Sequence, residues 1–401
     1  MSIIRDITIK AQKDLKQDEI FLFIGARQAG KTTILKQLED FLKKQGEICY
    51  FLRLEDPDYL KLLNESPKNL FKIFPIDLSK KSFVFIDEIQ YLDNPSNFLK
   101  YFYDEYAGKI KLLVSGSSAF YIDQKFKDSL AGRKKIFNVL TLSFREFLRF
   151  KEENDLLKKN FSSLTLSEIE KISIYFREFI IYGGYPRVVL SKVDQKKEVL
   201  QELAYSYIKK DILESNVRQD EIFYKMFKIL SSQIGNLFNA SELASTLGVS
   251  KSSIDNYIYI MQKSFHIRLV RPFFKKVRKE MIKMPKVYFL DLGLRNFFTG
   301  NFDLFDIRND KGMLLENIVY RQLIDNIDFD EVRFWRTIQG DEIDFVVENN
   351  AFEIKTSLSN FRIKKYKRFL ENYPEMKLSV VVLDSDKNEI DNFPVIKPWG
   401  I

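Results

Sequence analysis

Phe21 to Leu38 reads FLFIGARQAGKTTILKQL, and the fold follows from this stretch. Four apolar residues, Phe21 to Ile24, have the look of a buried strand. They run into Gly25-Ala26-Arg27-Gln28-Ala29-Gly30-Lys31-Thr32, and an amphipathic helix follows. This is G-x-x-x-x-G-K-T in its strand–loop–helix context. The glycines let the backbone N–H groups of residues 25–33, Thr33 included, turn toward phosphate oxygens. Lys31 offers a charge to the β- and γ-phosphates, and Thr32 a hydroxyl to Mg²⁺. ATP and Mg²⁺ are therefore the expected cofactors.

A second strand, Phe83-Val84-Phe85-Ile86, ends in Asp87-Glu88. Such a strand would bring Asp87 to the Mg²⁺ shell and Glu88 to the attacking water as general base. A third, Lys111 to Val114, ends in Ser115-Gly116-Ser117-Ser118, where Ser115 or Ser117 could face the γ-phosphate. Arg133, in Leu130-Ala131-Gly132-Arg133, is a candidate arginine finger in cis or in trans. A surface arginine is the alternative.

Residues 18–150 resemble the archaeal-type ATPases of the AAA+/STAND-related group, on GARQAGKTT, FVFIDEIQ, LLVSGSSAF and LAGR followed by LTLSFREF. The resemblance implies a chain that continues through a helical segment with a GGYP-like turn, here Gly183 to Pro186, into a winged helix and a nuclease-like C-terminal domain. The expected fold is multidomain α/β: a P-loop ATPase at 1–145, a helical segment at 146–235, a winged helix-turn-helix at 236–298 and a restriction-endonuclease-like domain at 304–401.

Composition agrees with a globular, non-secreted chain. Of 401 residues, 45% are hydrophobic and 30% charged. Cys49 is the single cysteine and His266 the single histidine, which excludes internal disulfides and Cys/His zinc sites. The N-terminal MSIIRDITIKAQKDLKQDE lacks a signal peptide's apolar stretch, and no run suits a membrane span. A cytoplasmic location is expected, with homo-oligomerisation left open.

Residues 251–295 hold eleven Lys and Arg against three Asp and Glu, a surplus equal to the whole chain's formal +8. Ala240 to Ser250 reads as a helix closed by a Gly turn, and a second helix is expected from Lys251 to Lys263. Its outward residues would be Lys251, Ser252, Ser253 and Asn256. Two strand-like runs, Ile267–Phe274 and Lys286–Leu290, flank Lys275, Lys276, Arg278, Lys279 and Lys283. A helix-turn-helix with a basic wing points to DNA as partner. Internal docking of the same module is the alternative. His266, among apolar neighbours, reads as structural.

The C-terminal pattern is helix, strand, strand, strand, helix, strand, with the second helix expected over Phe361–Asn372. A turn at Asn349-Asn350 would pair Asp344 with Lys355 and Val346 with Glu353. Asp344, Glu353 and Lys355 would then share one exposed sheet face. Two carboxylates beside a lysine can hold Mg²⁺ and activate water for phosphodiester cleavage, and Glu316 on the preceding helix could join the metal shell. Asp341 and Glu342 read as turn bystanders. Asp344, nine residues before Glu353-Ile354-Lys355, resembles the PD-(D/E)xK nuclease motif. That resemblance implies Asp344, Glu353 and Lys355 as catalytic residues. The other reading of the whole is an ATP-dependent DNA-binding or STAND-like signalling switch with an inactive nuclease fold.

Overall fold

The computed structural model describes residues 3–116, 130–161, 163–214, 220–274 and 283–401. The chain divides into two compact units. One is residues 1–141 with the short pieces 210–216 and 263–265; the other is all the rest. Apart from residues 210–216 and 263–265, the helical, helix-turn-helix and C-terminal segments, read from sequence as three domains, fall in a single unit.

The first unit is a five-stranded, wholly parallel sheet: β1 (Ile20–Gly25), β2 (Ile48–Arg53), β3 (Ser82–Asp87), β4 (Ile110–Gly116) and β5 (Lys134–Val139), in the order β2-β3-β4-β1-β5. Strands β1, β3 and β4 are buried along their whole length, which explains their unbroken apolar runs. All carboxyl ends lie along one edge, so the phosphate loop after β1, the acids after β3 and Ser115 on β4 meet there. Gly25 is fixed by packing: a Cβ on it would stand 1.9 Å from the Val139 carbonyl oxygen of β5.

In the second unit, helices Phe144–Phe150 and Leu166–Tyr182 each open with a reciprocal capping box, Ser143 with Glu146 and Thr165 with Glu168. The Gly183-Gly184 turn is a lock. Gly184 N–H donates to Asp291 Oδ2 (2.8 Å), and its carbonyl accepts from Leu142 N–H (2.8 Å). Asp291 in turn caps the helix Leu292–Thr299 through Leu294 N–H (3.0 Å).

Helices Asp220–Ser232, Ala240–Leu247 and Lys251–Lys263 precede an antiparallel pair, β6 (Ile267–Val270) and β7 (Lys286–Phe289). Leu237 bridges to Lys286. The helix Ala240–Leu247 ends at Gly248 with φ +66°, the expected turn. Phe223, Phe227 and Tyr257 form its aromatic core, with His266 edge-on to Phe227 at 5.1 Å. His266 is 2% exposed, in keeping with a packing role.

The helix Lys311–Leu323 then leads to a six-stranded mixed sheet in the order β12-β13-β11-β10-β9-β8. Its strands are β8 (Arg333–Arg336), β9 (Glu342–Val347), β10 (Asn350–Lys355), β11 (Lys377–Val382), β12 (Glu389–Ile390) and β13 (Phe393–Ile396). The expected helix Phe361–Asn372 is α-helical only over Lys367–Asn372, preceded by 3₁₀ turns. Phe361 and Tyr366, whose rings stack at 5.0 Å, are both drawn into the core there.

Candidate active site and carboxylate cluster

The phosphate loop passes through two left-handed residues, Gln28 (φ +52°) and Gly30 (φ +100°), before the helix Lys31–Lys44 begins. Lys31 is 5% exposed, and its Nζ donates back to the carbonyls of Gly25 (3.0 Å) and Ala26 (2.9 Å). The ammonium therefore lies across the loop. The first turn of the helix holds no acid, so its N-terminal dipole is free to attract an anion. Thr33 stands exposed one residue beyond Thr32.

The loop and the β3 end meet at one point. Thr32 Oγ1 donates to Asp87 Oδ2 at 2.7 Å, and Ser115 Oγ donates to Asp87 Oδ1. Glu88 N–H donates to the same Ser115 oxygen at 3.1 Å. A threonine hydroxyl against a buried carboxylate is a donor set that fits Mg²⁺, which would neutralise phosphate charge there. Glu88 has φ +60° and ψ 50°, a conformation that costs a non-glycine residue about 1–2 kcal/mol. Its carboxylate accepts from Gln90 Nε2. The left-handed backbone thus lies at the acid just beyond the strand end.

Sequence reasoning missed Arg5. It is 5% exposed, and it reaches from the N-terminal segment to donate to the Ala29 carbonyl of the phosphate loop (2.7 Å) and to Leu140 O (3.0 Å). An arginine 24 residues before its partner leaves no local pattern to read. Arg133 requires a correction. It precedes β5 at the level of Ile20, at the amino edge of the parallel sheet, and pairs with Asp104 at 2.7 Å. One strand length, about 15–20 Å, separates it from the phosphate loop, so it cannot be an arginine finger within its own chain. Ser117 lies outside the described residues.

The C-terminal hairpin turns at Glu348-Asn349, with Glu348 at φ +49°, rather than at Asn349-Asn350. The register is Asn350 to Val347, Ala351 to Val346 and Phe352 to Phe345. Continued one step, it sets Asp344 opposite Glu353, not Lys355. The slip is by two, and sheet faces alternate with period two, so Asp344, Glu353 and Lys355 still share a face. That face is not exposed as expected: Asp344 is 9% and Glu353 4% exposed.

Ile354 N–H donates to Asp344 Oδ2 at 2.7 Å, and Tyr366 to Glu353 Oε1 at 3.0 Å. Lys355 pairs with Glu353, whose Oε2 is buried without a hydrogen-bond partner. Burial, then the Glu353 and Glu316 charges, push Asp344 well above the usual carboxylate range. Burial likewise raises Glu353. Lys355 is half-buried, which lowers its value, yet Glu353 and Asp344 hold it above the ordinary lysine value. An orphaned buried carboxylate oxygen beside Asp344 fits a cation. Glu316 does not fit the metal shell as it stands, because Lys286 (2.9 Å) and Tyr288 occupy its Oε1. Glu342 is no bystander: it pairs with Lys286 and with Arg336 (3.2 Å). Among the described residues, no three Asp, Glu, His or Cys side chains converge as a metal cluster.

In the helix-turn-helix, Lys251, Ser252 and Asn256 are exposed and Ser253 half-buried, as expected of an outward face. Lys275, Lys276, Arg278 and Lys279 lie outside the described residues. Among the described residues, no helix is long and apolar enough to cross a membrane.

Three family matches tile the chain. Residues 17–148 match the AAA domain, 174–304 a domain of unknown function (DUF8612) and 311–398 another (DUF4143). The chain is 23% identical over 361 residues to the uncharacterized protein Rv2008c of Mycobacterium tuberculosis, covering 88% of this chain and 73% of that protein. It is 22% identical over 344 residues to the uncharacterized protein MJ1637 of Methanocaldococcus jannaschii, covering 79% and 69%. Solved structures with similar parts include AMPPCP-bound DnaA from Aquifex aeolicus (TM-score 0.31, 13% identity, 65% of this chain and 89% of that one). Another is the ADP form of ORC2 from Aeropyrum pernix (TM-score 0.31, 12%, 70% and 86%). Residues 17–148 thus carry an AAA domain, built on a parallel sheet with a phosphate loop at the end of an interior strand.

Proposed function

We propose that the first unit binds and hydrolyses ATP with Mg²⁺, and that the chain is a DNA-handling ATPase. One observation carries the ATPase reading: Thr32 and Asp87, 55 residues apart, meet at 2.7 Å beside Lys31 and Glu88. Lys31 would exchange its two loop carbonyls for β- and γ-phosphate oxygens. Thr32 and Asp87 would hold Mg²⁺, which neutralises charge developing on the phosphates. Glu88 would take the proton of the attacking water, with Ser115 fixing its backbone and Gln90 its carboxylate. Glu88→Gln should retain ATP binding and slow turnover by about 10²-fold or more. Normal turnover in that variant would remove Glu88 from the role.

DNA would be held by residues 251–295, with Lys251, Ser252 and Asn256 on one helix face and the basic segment between β6 and β7. The helix-turn-helix geometry and the local charge surplus support this reading. Replacing Lys275, Lys276, Arg278 and Lys279 by Ala should weaken binding to all sequences, and each lost phosphate contact should flatten the log–log salt dependence by about one unit. Unchanged affinity and slope would indicate internal docking. A second reading, cleavage by Asp344, Glu353 and Lys355, is favoured by their shared face and the orphaned Glu353 Oε2. Nicking of branched or linear DNA with Mg²⁺ or Mn²⁺ tests it; no cutting of any substrate would leave an inactive nuclease-like fold.

A further inference from the structure

Among the described residues, four carboxylates lie around Lys286 and Lys355 without three of them converging as a metal site: Glu316 on the helix Lys311–Leu323, Glu342 and Asp344 on β9, and Glu353 on β10. Among the described residues, two ammonium groups enter this cluster. Lys355 takes Glu353. Lys286 comes from β7, outside the six-stranded sheet, and is 2% exposed. Its Nζ donates to Glu316 (2.9 Å) and to Glu342. The cluster holds Lys286 charged against its burial, through Glu316, Asp344 and Glu342 in that order.

We infer that Lys286 is the resident cation of this cluster: it takes Glu316, the third carboxylate a divalent ion would need, and so keeps the Asp344–Glu353 pair a weak metal site. A buried ammonium has no freedom to turn away from its carboxylates, since leaving them would expose an unpaired charge to the core. A divalent ion beside Asp344 and Glu353 would meet both the repulsion of Lys286 and a Glu316 already engaged. Two carboxylates make a weaker hard-cation site than three. The inference rests on the cluster alone and is independent of ATP hydrolysis and of DNA binding.

The test is a Mn²⁺ titration of the nucleotide-free full-length chain, followed by electron paramagnetic resonance, with Asp344→Asn as the blank for binding elsewhere. Lys286→Met keeps the side chain's length and removes its charge. It should bind Mn²⁺ at least about 10-fold more tightly than the wild type, and adding Glu316→Gln should cancel the gain. Equal or weaker binding in a folded Lys286→Met chain overturns the inference. If that variant does not fold, Glu316→Gln in the otherwise wild-type chain decides. Asp344-dependent binding equal to the wild type's, whether weak or undetectable in both, supports a Glu316 withheld by Lys286, and a loss of 10-fold or more from a measurable wild-type affinity shows that Glu316 ligates the metal with Lys286 in place and overturns it.

Discussion

Arg5→Met separates two jobs that the structure gives one side chain. Arg5 donates two charge-assisted hydrogen bonds into a buried site, to Ala29 O at 2.7 Å and Leu140 O at 3.0 Å. Each such bond is worth about 1.5–3 kcal/mol, and methionine fills the volume while leaving both carbonyls unmet. The total loss is therefore roughly 3–6 kcal/mol. The half that falls on Ala29 acts inside the phosphate loop, one residue before Gly30. If it keeps the loop in its binding shape, ATP affinity falls about 10- to 150-fold, at 1.4 kcal/mol per factor of ten. Equilibrium binding of a fluorescent ATP analogue, run beside urea denaturation, reads both terms. Arg5→Lys should fall between, since one ammonium cannot reproduce a two-pronged donor. ATP affinity within twofold of wild type, despite a lower denaturation midpoint, would refute the loop argument and leave Arg5 as a strut.

Two more outcomes follow from buried groups. Gly183→Ala should cost at least about 3 kcal/mol, because its Cβ would lie 2.2 Å from Asp291 Oδ1 at a φ of +73°, adding a clash to left-handed strain; soluble expression and a chemical melt check this, and a near-neutral result would mean the lock is slack. Lys111 sits beneath the Phe21 ring (3.6 Å) with Nζ on Gln17 O (2.8 Å), and burial lowers its pKa to about 7. Between pH 7 and about 10 the unfolded chain then binds a proton that the folded chain does not, so stability should rise with pH across that window. Urea midpoints at pH 7 and 9 should show the rise in wild type and a smaller one in Lys111→Met; equal rises would show Lys111 is charged in the fold.

What could be read from sequence was what chemistry writes locally. Gly25 to Thr32 and Phe83 to Glu88 each state strand, ligand and turn within a dozen residues, and the structure brings Thr32 and Asp87 together as expected. The hairpin register was less legible, because Asn349-Asn350 carries the stronger turn preference and Glu348 the observed positive φ. The face assignment survived only because the slip was even. Arg5, Lys286, Tyr288 and Tyr366 were invisible, since each acts on a partner between 13 and 135 residues away. Lys286 in particular was counted in the basic surplus of residues 251–295, yet its charge is buried, 2% exposed.

The strand order also sets a timetable for synthesis. Strand β1 pairs only with β4 and β5, so Phe21 to Ile24, the most apolar segment near the N-terminus, emerges with both edges open and waits about 90 residues for Leu113 to reach Phe21. At roughly 5–20 residues per second the wait lasts about 5–20 s. The residues of the helix Lys31–Lys44 are made long before the sheet beneath them, and their apolar face must bide the same interval. Until the ribosome has delivered Val139, the nucleotide loop has a strand behind it but no neighbour against which Gly25 can close, so newly made chains become competent for nucleotide late.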